Sequence, residues 1–252
     1  MNTWLLFQTL SSPFSLLISV GAVLGLVLVV WDLPDRKMSH VWGGAAILAF
    51  SLVGARVDHV LMHGSYFLSH LWEIPQVWLG GLGWVGGAAG GLLGVFVISR
   101  VWDQPLFPLL DVYLPLLGMM SFVAGVASLF GGMGYGPRTS AWWGLPTPDE
   151  FSVIHPRWPI HLLGGVISAG FVLLIPVVVR EKGWFAQGGR KGSLGFWISM
   201  STFTGASILR VDPGLFVWGV RLETWGGILL SVVASVFILH TARVSYENKR
   251  TS

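Results

Sequence analysis

The chain has 252 residues, of which 53% are hydrophobic and 11% charged, with a formal net charge of +3. That balance lies outside ordinary soluble usage and excludes a water-soluble globular domain; the chain reads as an all-α integral membrane protein with a single transmembrane domain over residues 1–252. Cysteine is absent, which excludes disulfides, thiolate metal sites and a thiol nucleophile of the protein's own.

A membrane helix needs roughly 20 mostly apolar residues to cross a hydrocarbon core of about 30 Å. Seven transmembrane helices are predicted, near 13–31, 40–62, 80–100, 106–130, 158–179, 194–210 and 223–243. The start carries neither a basic n-region nor a small-residue cleavage site, so it reads as mature sequence and not as a signal peptide. Alternate connections collect Arg36, Lys37, Arg100, Arg180, Lys182, Arg190, Lys191, Arg243, Lys249 and Arg250 on one side, against Arg56, Arg138, Arg157, Arg210 and Arg221 on the other. The positive-inside rule then predicts the N-terminus outside and the C-terminus in the cytoplasm, which an odd number of spans satisfies. Basic cytoplasmic loops suit anionic headgroups, and no nucleic acid is needed to explain them. Tryptophans gather at predicted span ends, among them Trp31, Trp42, Trp78, Trp102, Trp158, Trp184 and Trp218, as interfacial anchors do.

Near the outward end of the second span stands Arg56, with Asp58, His59 and His63 within two turns. A charge inside a bilayer costs roughly 2.5–3.5 kcal/mol on insertion scales. Arg56 therefore pairs with Asp58, snorkels to the interface, or offers its parallel donors to a phosphate. His59 and His63 share a helix face, but no third ligand is evident, so no metal and no cofactor are assigned. In the outward connection that follows, Tyr66, Phe67, Leu71, Trp72, Ile74 and Trp78 alternate with His70, Glu73 and Pro75, a pattern for a short amphipathic outward segment lying in the interface. The third span carries Gly83, Gly87 and Gly91 on one face and Gly86, Gly90 and Gly94 on the next. Small-xxx-small spacing predicts close helix packing, with a lipid tail on the glycine face as the alternative. Asp111, near the start of the fourth span, is the residue a proton-coupled transporter would use. The second outward connection opens with GGMGYG and contains Pro137, Pro146, Pro148 and Pro156, so irregular backbone bordering an outward cavity is expected.

The order of these parts is informative. Arg56 at a helix end is followed by Trp72, Glu73, Ile74 and Pro75, a glycine run from Gly86, then Gly132, Tyr135 and Gly136, Trp143 with Gly144, His155 with Pro156, and Arg210. This order resembles the prolipoprotein diacylglyceryl transferase family. By that resemblance Val85 stands where the family has histidine, Gly125 and Phe203 where it has arginine, Ser128 where it has asparagine, Met133 and Ser207 where it has glutamate, and His161 where it has tyrosine. The resemblance implies a multi-pass protein of the bacterial cytoplasmic (inner) membrane. It also implies a reaction moving the diacylglyceryl group of phosphatidylglycerol to a prolipoprotein cysteine, with glycerol phosphate released. Such a reaction needs a base, because a thiol with pKa about 8.5 is mostly protonated at neutral pH, and donors for the departing phosphate. Arg56, Tyr135, Arg138, Arg157 and Arg210 are the expected phospholipid headgroup contacts, and His155 or His161 the candidate bases. Three functions stay open. The chain is a catalytically degenerate phospholipid-binding protein, serving as an accessory subunit beside other integral membrane proteins; or an active transferase with a rearranged site; or a transporter or channel.

Overall fold

A computed structural model describes residues 13–31, 37–130, 132–149, 151, 153–179, 185 and 188–251, with side chains to Arg243 in the last stretch. Arg36, Arg180, Lys182 and Trp184, and the side chains of Lys249 and Arg250, lie outside the described residues. The helices are α1 Pro13–Trp31, α2 Lys37–Met62, α3 Gly64–Ser69, α4 Trp84–Val101, α5 Leu106–Val112, α6 Leu114–Ser128, α7 Ile160–Val178, α8 Arg190–Ile208 and α9 Leu222–Thr251. Helices α1, α2, α4, α7 and α9 are each long and apolar enough to cross a membrane, and α5 with α6 makes a sixth if that bent pair is one span.

Helix α8 is not among them, although it has 19 residues. It packs against α5, α6, α7 and α9 and buries Gly192, Ser193, Gly195, Ser199, Thr204 and Ser207. Hydroxyl pairs tie it sideways: Ser168 Oγ donates to Ser199 Oγ at 2.8 Å, and Ser207 Oγ meets Thr224 Oγ1 at 2.8 Å. The outer faces of the surrounding helices are apolar and exposed, as Val23, Phe171 and Leu229 illustrate. Apolar residues outside and hydroxyls between helices is the arrangement that lipid as solvent selects.

Two breaks have plain causes. The span expected over 106–130 bends by 54° between α5 and α6, because Pro115 lacks the N–H that would reach back to Asp111. The buried Tyr113 fills the bend, its hydroxyl donating to the His40 carbonyl at 3.3 Å. Asp111 itself accepts the Gly189 and Gly192 amides, each at 2.5 Å, and so caps α8 from another helix.

Helices α2 and α4 cross backbone to backbone. A Cβ on Gly86 would sit 2.2 Å from the Gly54 carbonyl oxygen, and one on Gly90 would sit 2.3 Å from that of Phe50. The tight seam is thus Gly86, Gly90 and Gly94 against α2, joined at its end by Gly83, where a Cβ would sit 2.2 Å from Asp58 Oδ2; Gly83, Gly87 and Gly91 also line the central cavity described below. Gly87 and Gly91 meet α2 only at ordinary contact distance. Helices α6 and α7 make a second close crossing at Gly125 and Gly165.

The connections at one end fold into a cap. The interfacial segment expected over 63–79 consists of α3 followed by 3-10 turns at Leu71–Glu73 and Val77–Leu79. The connection expected to be irregular contains an antiparallel ribbon, β1 Leu145–Pro148 with β2 Ile154–Arg157, and a smaller ribbon, β3 Phe216–Val217 with β4 Val220–Arg221, precedes α9. Prolines are tolerated in the first ribbon because a two-stranded ribbon has two free edges that need no amide. The second turns through Trp218 and Gly219, both at positive φ, the geometry of a tight hairpin. These ribbons qualify the all-α expectation without changing the helical core.

Candidate functional site: a capped apolar cavity

A cavity of about 810 Å³ runs between the helices. Its body is apolar and drawn from α1, α2, α4, α6 and α8, with Ile18, Ile47, Leu92, Leu117, Met120 and Met200 among the lining residues. Its mouth at the cap end is polar, lined by His59, His63, His161, Arg210, Asp212, Arg221 and Glu223. A greasy chamber closed by charge at one end matches an amphiphile and not a hydrated solute.

Arg210 organises the mouth. It follows the end of α8, and its Nε donates to Asp212 Oδ1 at 2.8 Å while Nη2 bonds Asp212 Oδ2, a two-point clamp. Its Nη1 bonds Glu223 Oε2 and lies 3.4 Å from His161 Nε2. A guanidinium only donates, so the last contact requires Nε2 to accept and the ring proton to sit on Nδ1. Glu223 is in the first turn of α9, where the helix dipole favours an anion. Asp212 also accepts the Gly134 amide at 3.2 Å and approaches Arg221, whose Nη2 bonds the Asp212 carbonyl. Burial alone would raise the Asp212 carboxyl, but the Arg210 hydrogen bonds and charge, aided by Gly134 and Arg221, hold it below the usual carboxylate range. Arg210 is likewise kept protonated: burial opposes its charge, but Asp212 and Glu223 outweigh that and raise its pKa.

The expected headgroup residues divide among three places. Only Arg210 lines the cavity. Arg56, 7% exposed, spends its guanidinium on backbone: Nε donates to Ile74 at 2.8 Å, Nη1 to Gly80 at 2.7 Å and Gly81 at 3.2 Å, and Nη2 to Glu73 at 2.5 Å. It pins the 63–79 connection to α2, with its charge stacked over Phe67 at 5.2 Å. It does not pair with Asp58, which instead accepts the Gly86 amide at 2.9 Å and caps α4. Tyr135 and Arg157 form a third group, the guanidinium 4.2 Å from the ring centroid and 3.3 Å from Asp149. Arg138 pairs with Arg157 through backbone and its side chain is exposed.

Of the two candidate bases, His161 faces the cavity and His155 does not, being held in β2 opposite Thr147. His59 and His63 lie at the mouth with ring centroids 4.3 Å apart, and among the described residues no group of three or more ligands could hold a metal.

Among the positions singled out by resemblance, His161, Ser128, Met133 and Phe203 line the cavity, and Val85, Gly125 and Ser207 serve packing. Val85 fills the space left by Gly226, Phe203 stacks on Trp84 at 5.6 Å, Ser207 bonds Thr224, and Gly125 lets α7 approach α6. Ser128 Oγ donates to the Gly125 carbonyl at 2.7 Å, and Met133 reaches the cavity mouth. Sequence reading missed Asp212 and Glu223 as partners of Arg210, and Arg221 as a second partner of Asp212. The available signal was the concentration of alternating charge from 210 to 223, outside the cytoplasmic clusters and at a helix boundary.

The sequence profile of the family described as prolipoprotein diacylglyceryl transferase matches residues 8–243. A phosphatidylglycerol–prolipoprotein diacylglyceryl transferase of Tropheryma whipplei (strain TW08/27) is 28% identical over 179 residues, 66% of this chain and 66% of its own. The match thus spans just under two thirds of that relative's length. Proteins of the same name from Frankia alni and Streptococcus uberis are 24% identical over 244 residues and 26% over 232, covering 91% and 90% of this chain and 63% and 89% of their own. With its apolar helices and this match over nearly its whole length, the chain is a multi-pass membrane protein and belongs to the prolipoprotein diacylglyceryl transferase family.

Proposed function

We propose that this protein binds a diacyl phospholipid, with the acyl chains in the central cavity and the phosphate at the Arg210 cluster. The observation that carries the proposal is the union of an apolar chamber of about 810 Å³ with a buried guanidinium at its mouth. In this reading the chain crosses the bacterial inner membrane seven times, N-terminus outside, with α8 as the central span and the cap at the outer face. The ten cationic residues of the alternate connections support that orientation. Arg56, Tyr135 and Arg157 then hold the cap together outside the cavity lining, Arg138 is exposed, and Arg210 alone of the five meets the headgroup. The packing roles of Val85 and Gly125 are compatible with lipid binding without transfer, and a place beside other membrane proteins is an expectation of that reading.

Native mass spectrometry of the purified protein tests the proposal. Retained phospholipid is expected, and Arg210→Ala should deplete it. No retained lipid in either protein overturns the cavity reading.

One observation favours a second reading, transfer of diacylglyceryl to a prolipoprotein cysteine. His161 presents a neutral ring nitrogen beside Arg210 at the cavity mouth, a base next to a phosphate-binding cation. Incubation with phosphatidylglycerol and a lipobox peptide decides it. Lipidated peptide that disappears in His161→Ala supports transfer, and an unmodified peptide removes it.

A further inference from the structure

A lipid held with its phosphate at Arg210 must also bury its ester linkages, whose carbonyl oxygens are acceptors that an apolar wall cannot satisfy. Those carbonyls follow the phosphate by one glycerol unit, which places them about one helical turn inside the mouth. Two polar groups of the cavity wall stand at that depth.

The first is Ser121 of α6, which lines the cavity and is 6% exposed. Its level is fixed by the close crossing of α6 and α7: a Cβ on Gly125 would meet the His161 carbonyl oxygen at 2.8 Å, and one on Gly165 would meet that of Ser121 at 2.6 Å. Ser121 therefore lies one turn, roughly 6 Å, deeper than Gly125 and the His161 that touches Arg210. Hydroxyls elsewhere in the helices turn back on their own backbone, as Ser128 does to Gly125 at 2.7 Å, Thr204 to Met200 at 2.6 Å and Ser231 to Gly227 at 2.9 Å. No such bond, nor any other among the described residues, holds the Ser121 Oγ, which is open to the cavity.

The second is Trp84, the first residue of α4, whose ring also lines the cavity. It stacks on Phe203 at 5.6 Å, and Phe203 meets the His161 ring edge-on at 6.0 Å. The far edge of the indole packs at Gly227, where a Cβ would sit 2.7 Å from its Cη2. Gly227 is one turn into α9 from Glu223 at the mouth, so the indole lies at the depth of Ser121. Its Nε1 is buried and has no acceptor among the described residues.

Resting on the lipid-binding reading above, we propose that Ser121 and Trp84 form a shelf that recognises the glycerol ester carbonyls of the bound lipid. The Ser121 hydroxyl donates to one carbonyl, and the Trp84 Nε1–H, after a turn of the indole on Phe203, donates to the other. The shelf selects an ester-linked diacyl lipid over its ether-linked counterpart, because an ether carries a methylene in place of each carbonyl and gives the donors no acceptor of like strength. It sets no condition on the headgroup beyond the phosphate, and phosphatidylglycerol satisfies it.

The test is competition between linkages at constant headgroup and chain length. Delipidated protein, with no peptide acceptor present, is offered equal dipalmitoyl phosphatidylglycerol and its dihexadecyl ether counterpart in detergent micelles, and the retained lipids are counted by native mass spectrometry. About a tenfold excess of diester over diether is expected in the wild type, the scale of one to two neutral hydrogen bonds. Ser121→Ala and Trp84→Phe each delete one donor and keep the wall apolar, and each should lower that ratio about threefold. The lipid-free melting midpoint of Ser121→Ala should be unchanged or higher, since the hydroxyl removed has no partner; a lower midpoint would overturn its assignment. Equal retention of diester and diether by the wild type, or an excess that Ser121→Ala does not reduce, overturns the inference while leaving the cavity reading intact. Absence of any retained lipid overturns both.

Discussion

Alanine at Gly90 and alanine at Gly91 differ by one position in sequence and should differ sharply in effect. A Cβ on Gly90 meets the Phe50 carbonyl oxygen at 2.3 Å, its carbon at 3.0 Å and the Gly54 Cα at 3.2 Å, all backbone atoms that cannot turn aside. Restoring an ordinary contact requires α2 and α4 to separate by about 1 Å. Three bonds span the same seam: Ser51 Oγ to the Gly87 carbonyl at 2.8 Å, the Gly83 amide to the Ala55 carbonyl at 2.8 Å, and the Gly86 amide to Asp58 at 2.9 Å. Stretched by about 1 Å, none remains within hydrogen-bonding range. Overpacking at about 1–3 kcal/mol, together with these three bonds at about 1 kcal/mol each, gives a loss of roughly 4–6 kcal/mol. At about 2–4 °C per kcal/mol for a chain of this size, the apparent melting midpoint should fall by about 10 °C or more. At Gly91 the nearest atom is the Ser51 Cβ at 3.8 Å, so Gly91→Ala should be neutral or gain up to about 1 kcal/mol of helix propensity. Scanning fluorimetry on both variants in one detergent measures the contrast. Equal shifts for the pair would refute the argument that backbone approach at Gly90 holds the seam.

Arg56→Lys keeps the charge but cannot serve four carbonyls with a planar fork, and it should lower the midpoint by several degrees while increasing proteolytic cleavage between 71 and 81; unchanged cleavage would remove Arg56 as the pin of that connection. Asp111→Asn removes the charge from two short cap bonds, an expected loss of about 1.5–3 kcal/mol, read as a lower midpoint with lipid retention unchanged; a change in lipid retention would count against a purely capping role. Asp212 has a folded pKa below its ordinary value of about 3.9, so the stability it contributes is present above that value and is lost as pH falls through the lower, folded one. The midpoint gap between wild type and Asp212→Asn should therefore be largest near neutral pH and close on acidification below about pH 4; a gap constant from neutral to acid pH would mean that the carboxylate charge is not what stabilises the cap.

The helices were legible because their signal is strong: long apolar runs leave little freedom in where a chain crosses lipid. The glycine spacing in α4 announced a close crossing, but choosing between its two faces needed the partner, since Gly54 on α2 selects Gly86 and Gly90 by a rotation that no periodicity encodes. The candidate site was only partly legible. Arg210 and His161 stood out as single polar residues near predicted span ends, whereas Asp212 and Glu223 lie in the turn and first helical residues where acidic side chains are common caps. Arg56 misled for a related reason. A buried arginine and a ligand-binding arginine look alike in sequence, and only the positions of the Glu73, Ile74, Gly80 and Gly81 carbonyls distinguish them.

Helix α8 has a consequence for how the protein is made. Five helices are each long and apolar enough to cross a membrane by length and composition, and α8 is not among them. Ser199 and Ser207 find partners on α7 and α9, and its amino end is capped by Asp111 of α5. If the chain crosses seven times as proposed, the transfer of α8 into lipid is expected to be a late and cooperative event. It waits for α9 to emerge from the ribosome, so synthesis stalled or truncated before Leu222 should leave α8 in water and the cavity unformed.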